Sequence, residues 1–201
     1  SSLRAAERAR VSYASTQAAK FYMEAMDAAA DAGVDVDRPG ILEALGDVHT
    51  LDGRYTDAER AYGEALAACS RDSAKARLYG KIGEMYFRRG DNGQAAAHLE
   101  QCLRGLGYRL PRTGRGVFAS LVWQILIVTA RSFLPKRLWR IRDERKRAVA
   151  QDAVELHHKF AYVCYFQDIA KTFDVHLRQL NLANSVGPSR ELAQTFSDHG
   201  V

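Results

Sequence analysis

Proline is scarce in this sequence, strand-like alternation is missing, and both absences limit the fold class. The 201 residues include only 4 prolines, whereas alanine is abundant and no run alternates β-branched with polar residues. Because proline breaks helices and alanine has the highest helix propensity, this composition favours helix along nearly the whole chain. We therefore expect an all-α fold without a β-sheet.

Cysteine is also scarce, and its spacing indicates the cellular compartment. The 3 cysteines, Cys69, Cys102 and Cys164, lie far apart and form no Cys-x-x-Cys pair. This pattern is typical of reduced core residues in a cytoplasmic protein. The amino terminus lacks the succession of charged, apolar and small residues that marks a secretion signal. Because the sequence begins and ends inside helical patterns, we expect a segment of a longer cytoplasmic protein.

The motifs of catalysis and of metal or nucleotide binding are missing. Gly80 and Lys81 lack the preceding glycine of a phosphate-binding loop, and neither His-Glu-x-x-His nor Gly-x-Ser-x-Gly occurs. His157 and His158 are adjacent, so on a helix they would project about 100° apart and could not share a metal ion. The sequence therefore predicts no catalytic residue, no metal site and no cofactor in this segment.

The strongest positive signal is an internal repeat with an interval of 37 residues. In each copy, small and large residues recur at matching positions of two successive helices. A glycine, Gly53 or Gly90, lies between the helices, where a tight turn favours positive φ. The first copy contains Leu42, Leu45, Gly46, His49, Ala58, Tyr62 and Ala65, and the second contains Tyr79, Ile82, Gly83, Tyr86, Ala95, Leu99 and Cys102.

The repeated small residues predict close packing of two antiparallel helices. Gly46 opposite Ala58, and Gly83 opposite Ala95, would let the two helix backbones approach each other. The layout resembles the tetratricopeptide repeat, whose patterns are Trp-x-x-Leu-Gly-x-x-Tyr and Ala-x-x-x-Phe-x-x-Ala. Both copies depart from it at the first aromatic position, and His49 replaces the tyrosine in the first copy, because the repeat specifies size and polarity more than identity. The resemblance implies a right-handed α-solenoid of antiparallel helix pairs, with a concave face that binds proteins or peptides.

Weaker copies of the pattern flank these two and define the expected domain organisation. An array of such units is stable when at least about three of them stack. We expect a repeat region over 1–110 with units of about 1–36, 37–73 and 74–110, an inserted helix pair over 111–150, and a further repeat plus the first helix of a truncated one over 151–201.

The insertion combines an apolar helix with a basic one. Val117 to Leu134 is predicted as an apolar helix, Pro135 breaks it, and Lys136 to Val149 is predicted as a basic helix. The net charge of +5 is concentrated here, because residues 131–147 include eight basic and two acidic residues. The basic patch comprises Lys136, Arg137, Arg140, Arg142, Arg145, Lys146 and Arg147.

Three interpretations of the apolar helix compete. A transmembrane span needs about 20 apolar residues, and Gln124, Thr129 and Arg131 interrupt this helix. An in-plane membrane anchor would use Trp123 and Phe133 together with the basic helix. We favour the third interpretation, in which the apolar side chains pack on neighbouring repeats or on a domain outside this segment. Those side chains are Phe118, Leu121, Val122, Ile125, Leu126 and Val128.

The first helix of each repeat predicts where a partner binds, because these helices line the concave face of such a solenoid. The predicted groove starts acidic and becomes aromatic, which favours a peptide or helix with basic and apolar side chains. A neighbouring domain of the same chain is an equal alternative. The predicted residues are Glu43, Asp47, Thr50, Glu84, Phe87, Arg88, Tyr162 and Tyr165.

A narrower resemblance rests on the run from Gly105 to Pro111, the insertion, and the ending Leu180 to Asn184. These features resemble the helical-repeat tail of large bacterial signalling ATPases of the AAA or STAND type, often linked to a class III nucleotidyl cyclase or a Ser/Thr kinase domain. The resemblance implies that any enzyme activity lies outside this segment. We therefore predict a non-catalytic protein-interaction, sensor or scaffold module. The alternative is a module that docks on a membrane surface or on nucleic acid through residues 117–147.

Overall fold

Helices account for the regular structure of the chain wherever the structure describes it. The computed structural model describes residues 36–135, 138–165 and 167–187, together with 17, 19–24, 26, 28 and 31–34. No strand occurs among these residues, and the predicted all-α fold is confirmed. In chain order the helices are α1 (Arg38–Leu51), α2 (Tyr55–Ala68), α3 (Asp72–Arg89), α4 (Asn92–Gly105), α5 (Gly114–Phe133), α6 (Glu144–Tyr165) and α7 (Ile169–Val186).

The chain forms two compact units, residues 1–98 and 99–201, and α4 contributes residues to both. In the first unit α1 packs along α2, and α2 packs against α3. In the second unit α6 packs along α7, and α5 packs on α7. The predicted domain boundary at residue 110 differs from this junction, and the predicted boundary at residue 150 falls inside α6.

The turns that follow α1 and α3 are the same turn, repeated after 37 residues. Gly53 and Gly90 have φ values of +73° and +88°, a region that favours glycine because it has no Cβ. In both turns the residue after the glycine donates its N–H, over 2.9 Å, to the carbonyl five residues earlier. These bonds cap the helix ends and run from Arg54 to His49 and from Asp91 to Tyr86.

The contact between α1 and α2 is closest at Gly46. Gly46 is buried, and a Cβ at this position would lie 2.5 Å from the Tyr62 ring. The small residue is therefore packed on Tyr62, and the predicted contact of Gly46 with Ala58 stays a prediction. Ala58 is itself fully buried, and Gly83, the equivalent of Gly46 in the second copy, is buried as well.

The described residues before α1 contribute to the same core. Ala19 is buried in a cluster with Leu45 and Ala61, and Tyr22 packs against this cluster. The alanines whose spacing predicted a repeat unit over 1–36 lie outside the described residues; they are Ala5, Ala6, Ala9, Ala18 and Ala25. This predicted unit stays a prediction.

The second unit has a core built by α6 and α7. Phe160 and Ala161 on α6, with Val175 and Ala183 on α7, are almost fully buried. Beside these apolar residues, α7 buries a row of polar side chains. Because buried polar groups need hydrogen-bond partners, the helix that covers this row must supply them. The row consists of Asp174, Asn181 and Ser185.

The segment before α6 is not the helix that the sequence predicted. Residues 138–143 lie outside any α-helix, and α6 begins at Glu144. The Asp143 side chain accepts a hydrogen bond from the Lys146 N–H at 3.1 Å, as expected of a residue that caps a helix start. The predicted basic helix over residues 136–149 is therefore wrong over residues 138–143, and its part from Glu144 onward is the beginning of α6.

The apolar helix is present, but most of the side chains expected to pack on neighbouring repeats are exposed, and their packing on a domain outside this segment stays a prediction. α5 begins at Gly114, and the Thr113 side chain caps it by accepting from the Gly116 N–H at 3.2 Å. Its buried residues are Val117 and Gln124. The reason is that α7 offers a polar row, so the polar side of α5 packs inward. Of the side chains expected to pack on other repeats, Phe118, Val122, Ile125 and Leu126 are exposed, and Leu121 and Val128 are half-buried.

Candidate functional site

The predicted partner-binding residues of α1 lie beside α3, and ion pairs join the two helices. Glu43 accepts from Arg77 at 2.6 Å and from the Lys81 Nζ at 2.9 Å. Asp47 accepts from Lys81 through one carboxylate oxygen and from the Tyr62 hydroxyl, at 2.7 Å, through the other. Each carboxylate oxygen of these two acids therefore already has a donor within the first unit.

The protonation equilibria of these groups follow from the pairing. Burial alone would raise the pKa of Glu43, but the hydrogen bonds and charges of Arg77 and Lys81 outweigh it and lower that pKa. Burial would lower the pKa of Lys81, and here the carboxylates of Asp47 and Glu43 outweigh it and raise the pKa. Both sides of the ion-pair cluster are thus charged at neutral pH.

The acidic groove that the sequence predicted is in fact a surface of mixed charge. Sequence analysis missed Arg77 and Lys81, although their spacing of four residues matches that of Glu43 and Asp47. Residues four apart lie on one face of a helix, so two such rows of opposite sign on neighbouring helices can pair. The repeat interval of 37 residues did not predict this pairing, because each acidic residue lies 34 residues before its basic partner.

The remaining predicted residues of the first unit lie further along the same helices. Thr50 donates its hydroxyl to the Gly46 carbonyl at 2.8 Å. On α3, Arg88 pairs with Glu84 at 3.0 Å, and Phe87 is exposed. We call the whole surface the α1–α3 face, formed by Glu43, Asp47, Arg77, Lys81, Glu84, Phe87 and Arg88.

The two predicted tyrosines belong to the second unit. Tyr162 and Tyr165 are both exposed near the end of α6. An exposed aromatic side chain suits an interface, because it supplies a large contact area with few rotatable bonds. That these tyrosines share one groove with the α1–α3 face stays a prediction.

The basic patch does not form one helical face. Arg145 and Lys146 are exposed in the first turn of α6, whereas Arg140 and Arg142 are exposed on the non-helical segment before it. The Ile141 N–H donates to the Ser185 carbonyl at 2.9 Å and so holds this segment against the end of α7. Arg147 is half-buried, and Lys136 and Arg137 lie outside the described residues.

A polar cavity of about 190 Å³ lies between α5, α6 and α7. Arg178 and Arg131 line it together with the buried His157. Arg178 is paired with the buried Asp174 at 2.8 Å, and Arg131 donates to the Asn181 carbonyl. Both guanidinium groups already have hydrogen-bond partners within the second unit. We therefore interpret the cavity as part of the packing of this unit and not as a ligand-binding site.

Within the described part of the chain, no set of three His, Cys, Asp or Glu residues could hold a metal ion. Cys102 and Cys164 are buried, as the sequence predicted, and burial raises the pKa of the Cys164 thiol to about 11. Cys69 is only half-buried, so its assignment to the core was wrong.

Comparison with known proteins supports the repeat. Residues 37–106 match the family model of the tetratricopeptide repeat, which covers both copies of the 37-residue pattern. No curated protein matches the sequence significantly. Among solved structures, the crystal structure of BtubC (BKLC) from P. vanneervenii is similar at 19% sequence identity and a TM-score of 0.39, over 96% of this chain and 81% of that one.

Proposed function

We propose that this chain, whose residues 37–106 match the tetratricopeptide repeat, is a non-catalytic protein-interaction module. Repeats of this type mediate protein–protein contacts or act as scaffolds. In our proposal the α1–α3 face binds a peptide, a helix or a neighbouring domain, and the module serves as sensor or scaffold in a larger bacterial signalling protein of the cytoplasm.

The observation that carries this proposal is the composition of the α1–α3 face. Exposed Phe87 lies three residues after Glu84 and directly before Arg88 of the Glu84–Arg88 ion pair, and Asp47 and Lys81 remain partly exposed. An aromatic side chain provides contact energy, while charges of both signs orient a ligand and exclude wrong ones. This arrangement is what a peptide-binding groove requires.

The pairing also refines the expected ligand. A lysine or arginine of a partner would approach Lys81 at Asp47 and be repelled by its like charge, because Lys81 already pairs with this carboxylate. A ligand with one apolar side chain for Phe87 and charges of both signs would extend the existing ion-pair network without displacing it. We therefore expect a peptide of mixed charge in place of the basic one that the sequence predicted.

A random peptide library displayed on phage and selected on the full chain tests this proposal. Selected peptides should bind in fluorescence anisotropy, and Phe87→Ala should weaken them at least about tenfold, as removal of a central aromatic contact does. Glu84→Gln should weaken those that carry a basic residue.

Matched controls lie outside the face. Glu64→Gln on α2 and Phe173→Ala on α7 change exposed side chains of the same types, and both should leave the affinity unchanged. Two results would contradict the proposal. Either no peptide is enriched, or the enriched peptides bind the Phe87→Ala and Glu84→Gln variants as tightly as they bind the control variants.

The larger signalling protein is a separate part of the proposal. It is supported by the resemblance of the insertion and of residues 105–111 to the repeat tails of signalling ATPases. Sequencing the coding region on both sides of this segment tests it directly. We expect an ATPase domain in the same reading frame, and a stop codon close to both ends would contradict this part.

A further inference from the structure

The helix α5 exposes its apolar side to solvent. Trp123 is 62% exposed and Phe133 is 85% exposed. At 100° per residue, the exposed apolar residues of α5 fall within an arc of about 160°. We call this surface the apolar α5 face, and it consists of Phe118, Val122, Trp123, Ile125, Leu126 and Phe133.

Buried hydrogen bonds fix this orientation from the other side of the helix. The Asn181 amide donates to the Gln124 side chain at 2.8 Å and to the Gln124 carbonyl at 3.2 Å. Arg178 donates to the Ser120 hydroxyl at 2.6 Å, and Arg131 donates to the Asn181 carbonyl. Turning α5 to bury its apolar side would break these bonds and leave buried polar groups of α7 without partners.

The same bonds argue against a transmembrane helix. By length and composition α5 could cross a membrane, and with only 11% of its apolar stretch buried it is not a core helix. A helix that crossed the bilayer would leave α7 and carry Ser120, Gln124 and Arg131 into hydrocarbon, where polar groups are costly. A helix that lies in the membrane surface keeps its polar side on α7 and needs no such change.

The charge around α5 identifies what covers its apolar face. Residues 101–142 include nine basic residues and no acidic one, so a second copy of the chain would bring like charges together. An anionic lipid surface would instead attract these residues. Arg112, which also pairs with Glu100 at 3.2 Å, and Arg115 are exposed at the start of α5. Arg140 and Arg142 are exposed beyond its end. The apolar face is thus flanked by exposed arginines at both ends.

We propose that α5 docks in the plane of an anionic membrane surface. The apolar α5 face enters the boundary between headgroups and acyl chains, and the flanking arginines contact lipid phosphates. The combination of aromatic and aliphatic residues on one side with basic residues around them is that of interfacial helices. The α1–α3 face takes no part in this docking, so the inference does not depend on the proposed function.

Co-sedimentation of the full chain with vesicles tests this inference. We expect binding to vesicles of phosphatidylcholine and phosphatidylserine, weakened by salt, and little binding to phosphatidylcholine alone. The triple variant Phe118→Ser, Trp123→Ser, Phe133→Ser should bind at least about tenfold more weakly, because each serine removes exposed apolar area that the membrane would bury. The variant Leu51→Ser, Phe173→Ser alters equally exposed apolar residues elsewhere and should bind like the wild type.

A fluorescence measurement on the unaltered apolar face keeps the inference testable if the triple variant does not fold. In the variant Trp139→Phe, Trp123 is the remaining tryptophan. Its emission should shift to the blue with anionic vesicles and be quenched by brominated acyl chains. The inference would be overturned if Trp123 were not quenched or if the chain bound neither vesicle type. It would equally be overturned if the chain bound duplex DNA or RNA in place of vesicles, or formed a dimer that the triple serine variant converts to monomer.

Discussion

At the scale of single residues, Gly46 fixes how closely α1 approaches α2. The Tyr62 ring covers Gly46, and the Tyr62 hydroxyl is held by Asp47 at 2.7 Å, so the ring cannot move away without losing this bond. A glycine in a helix normally costs stability because of its backbone entropy. Here the close contact outweighs that cost.

Gly46→Ala should therefore destabilise the protein, although alanine is the better helix former. We expect a loss of about 1–3 kcal/mol in the free energy of unfolding, which is typical of an overpacked core. Urea denaturation followed by circular dichroism measures it. Gly63→Ala is the matched control, because Gly63 is exposed on α2 with open space around it. That variant should gain roughly 0.5–1 kcal/mol. Equal stability of the two variants would show that the contact at Gly46 is not tight.

His157 makes the second unit sensitive to acid. Its Nδ1 lies 2.6 Å from the Ala153 carbonyl, and burial lowers its pKa to about 4. Above pH 6.5, the ordinary histidine pKa, the ring is neutral in both the folded and the unfolded states. Between this pH and about pH 4 only the unfolded state binds the proton, so stability falls as the pH falls.

We expect His157→Gln to remove this part of the pH dependence. Between about pH 7 and pH 4 the wild type should lose on the order of 3 kcal/mol more unfolding free energy than the variant does. Chemical denaturation at a series of pH values provides the measurement. His158→Gln changes a neighbouring histidine that is only half-buried and should keep the wild-type pH profile. A parallel profile for His157→Gln and the wild type would contradict the assignment.

At the scale of elements, α5 shows what sequence patterns convey and what they leave open. The apolar period of α5 predicted a helix correctly, and the 37-residue repeat predicted α1 to α4 with their glycine turns. That a domain outside this segment covers the apolar side of α5 stays a prediction. Packing of this side on neighbouring repeats was not found, because that interpretation assumed that apolar residues lie inside. That assumption fails when the neighbouring helix is polar.

The sequence signal that would have predicted the orientation of α5 is a pair of matching polar stripes, one on α5 and one on α7. Ser120 and Gln124 on α5 are four residues apart, and Asp174, Arg178 and Asn181 on α7 follow helical spacing too. No property of either helix alone tells which neighbour it meets, since helix pairing is set by long-range packing. For the same reason the pairing of Glu43 and Asp47 with α3 was not found, and an acidic groove was predicted.

The orientation of α5 leads to a prediction about thiol accessibility. Ile125→Cys places a thiol on the apolar α5 face, and Val117→Cys places one on the buried side. In solution without lipid, maleimide should modify the former at least about tenfold faster, because the latter reacts only after local opening. Mass spectrometry of the peptides separates these thiols from the native cysteines. Faster modification at Val117→Cys would mean that α5 faces the other way.

At the scale of the whole molecule, the two units carry different surfaces. The first unit has a mixed-charge α1–α3 face within residues that match the tetratricopeptide repeat. The second unit has an apolar α5 face with arginines at both ends. If the first binds protein and the second binds membrane, the chain is a scaffold that brings a partner to a lipid surface.

Recruitment of a selected peptide to vesicles tests this central claim most directly. A labelled peptide from the library selection should sediment with phosphatidylserine-containing vesicles only when the full chain is present. Phe87→Ala should leave the chain on the vesicles and the peptide in solution, whereas the triple serine variant of α5 should leave both in solution while peptide affinity is unchanged. Peptide that sediments equally well with either variant would contradict the account.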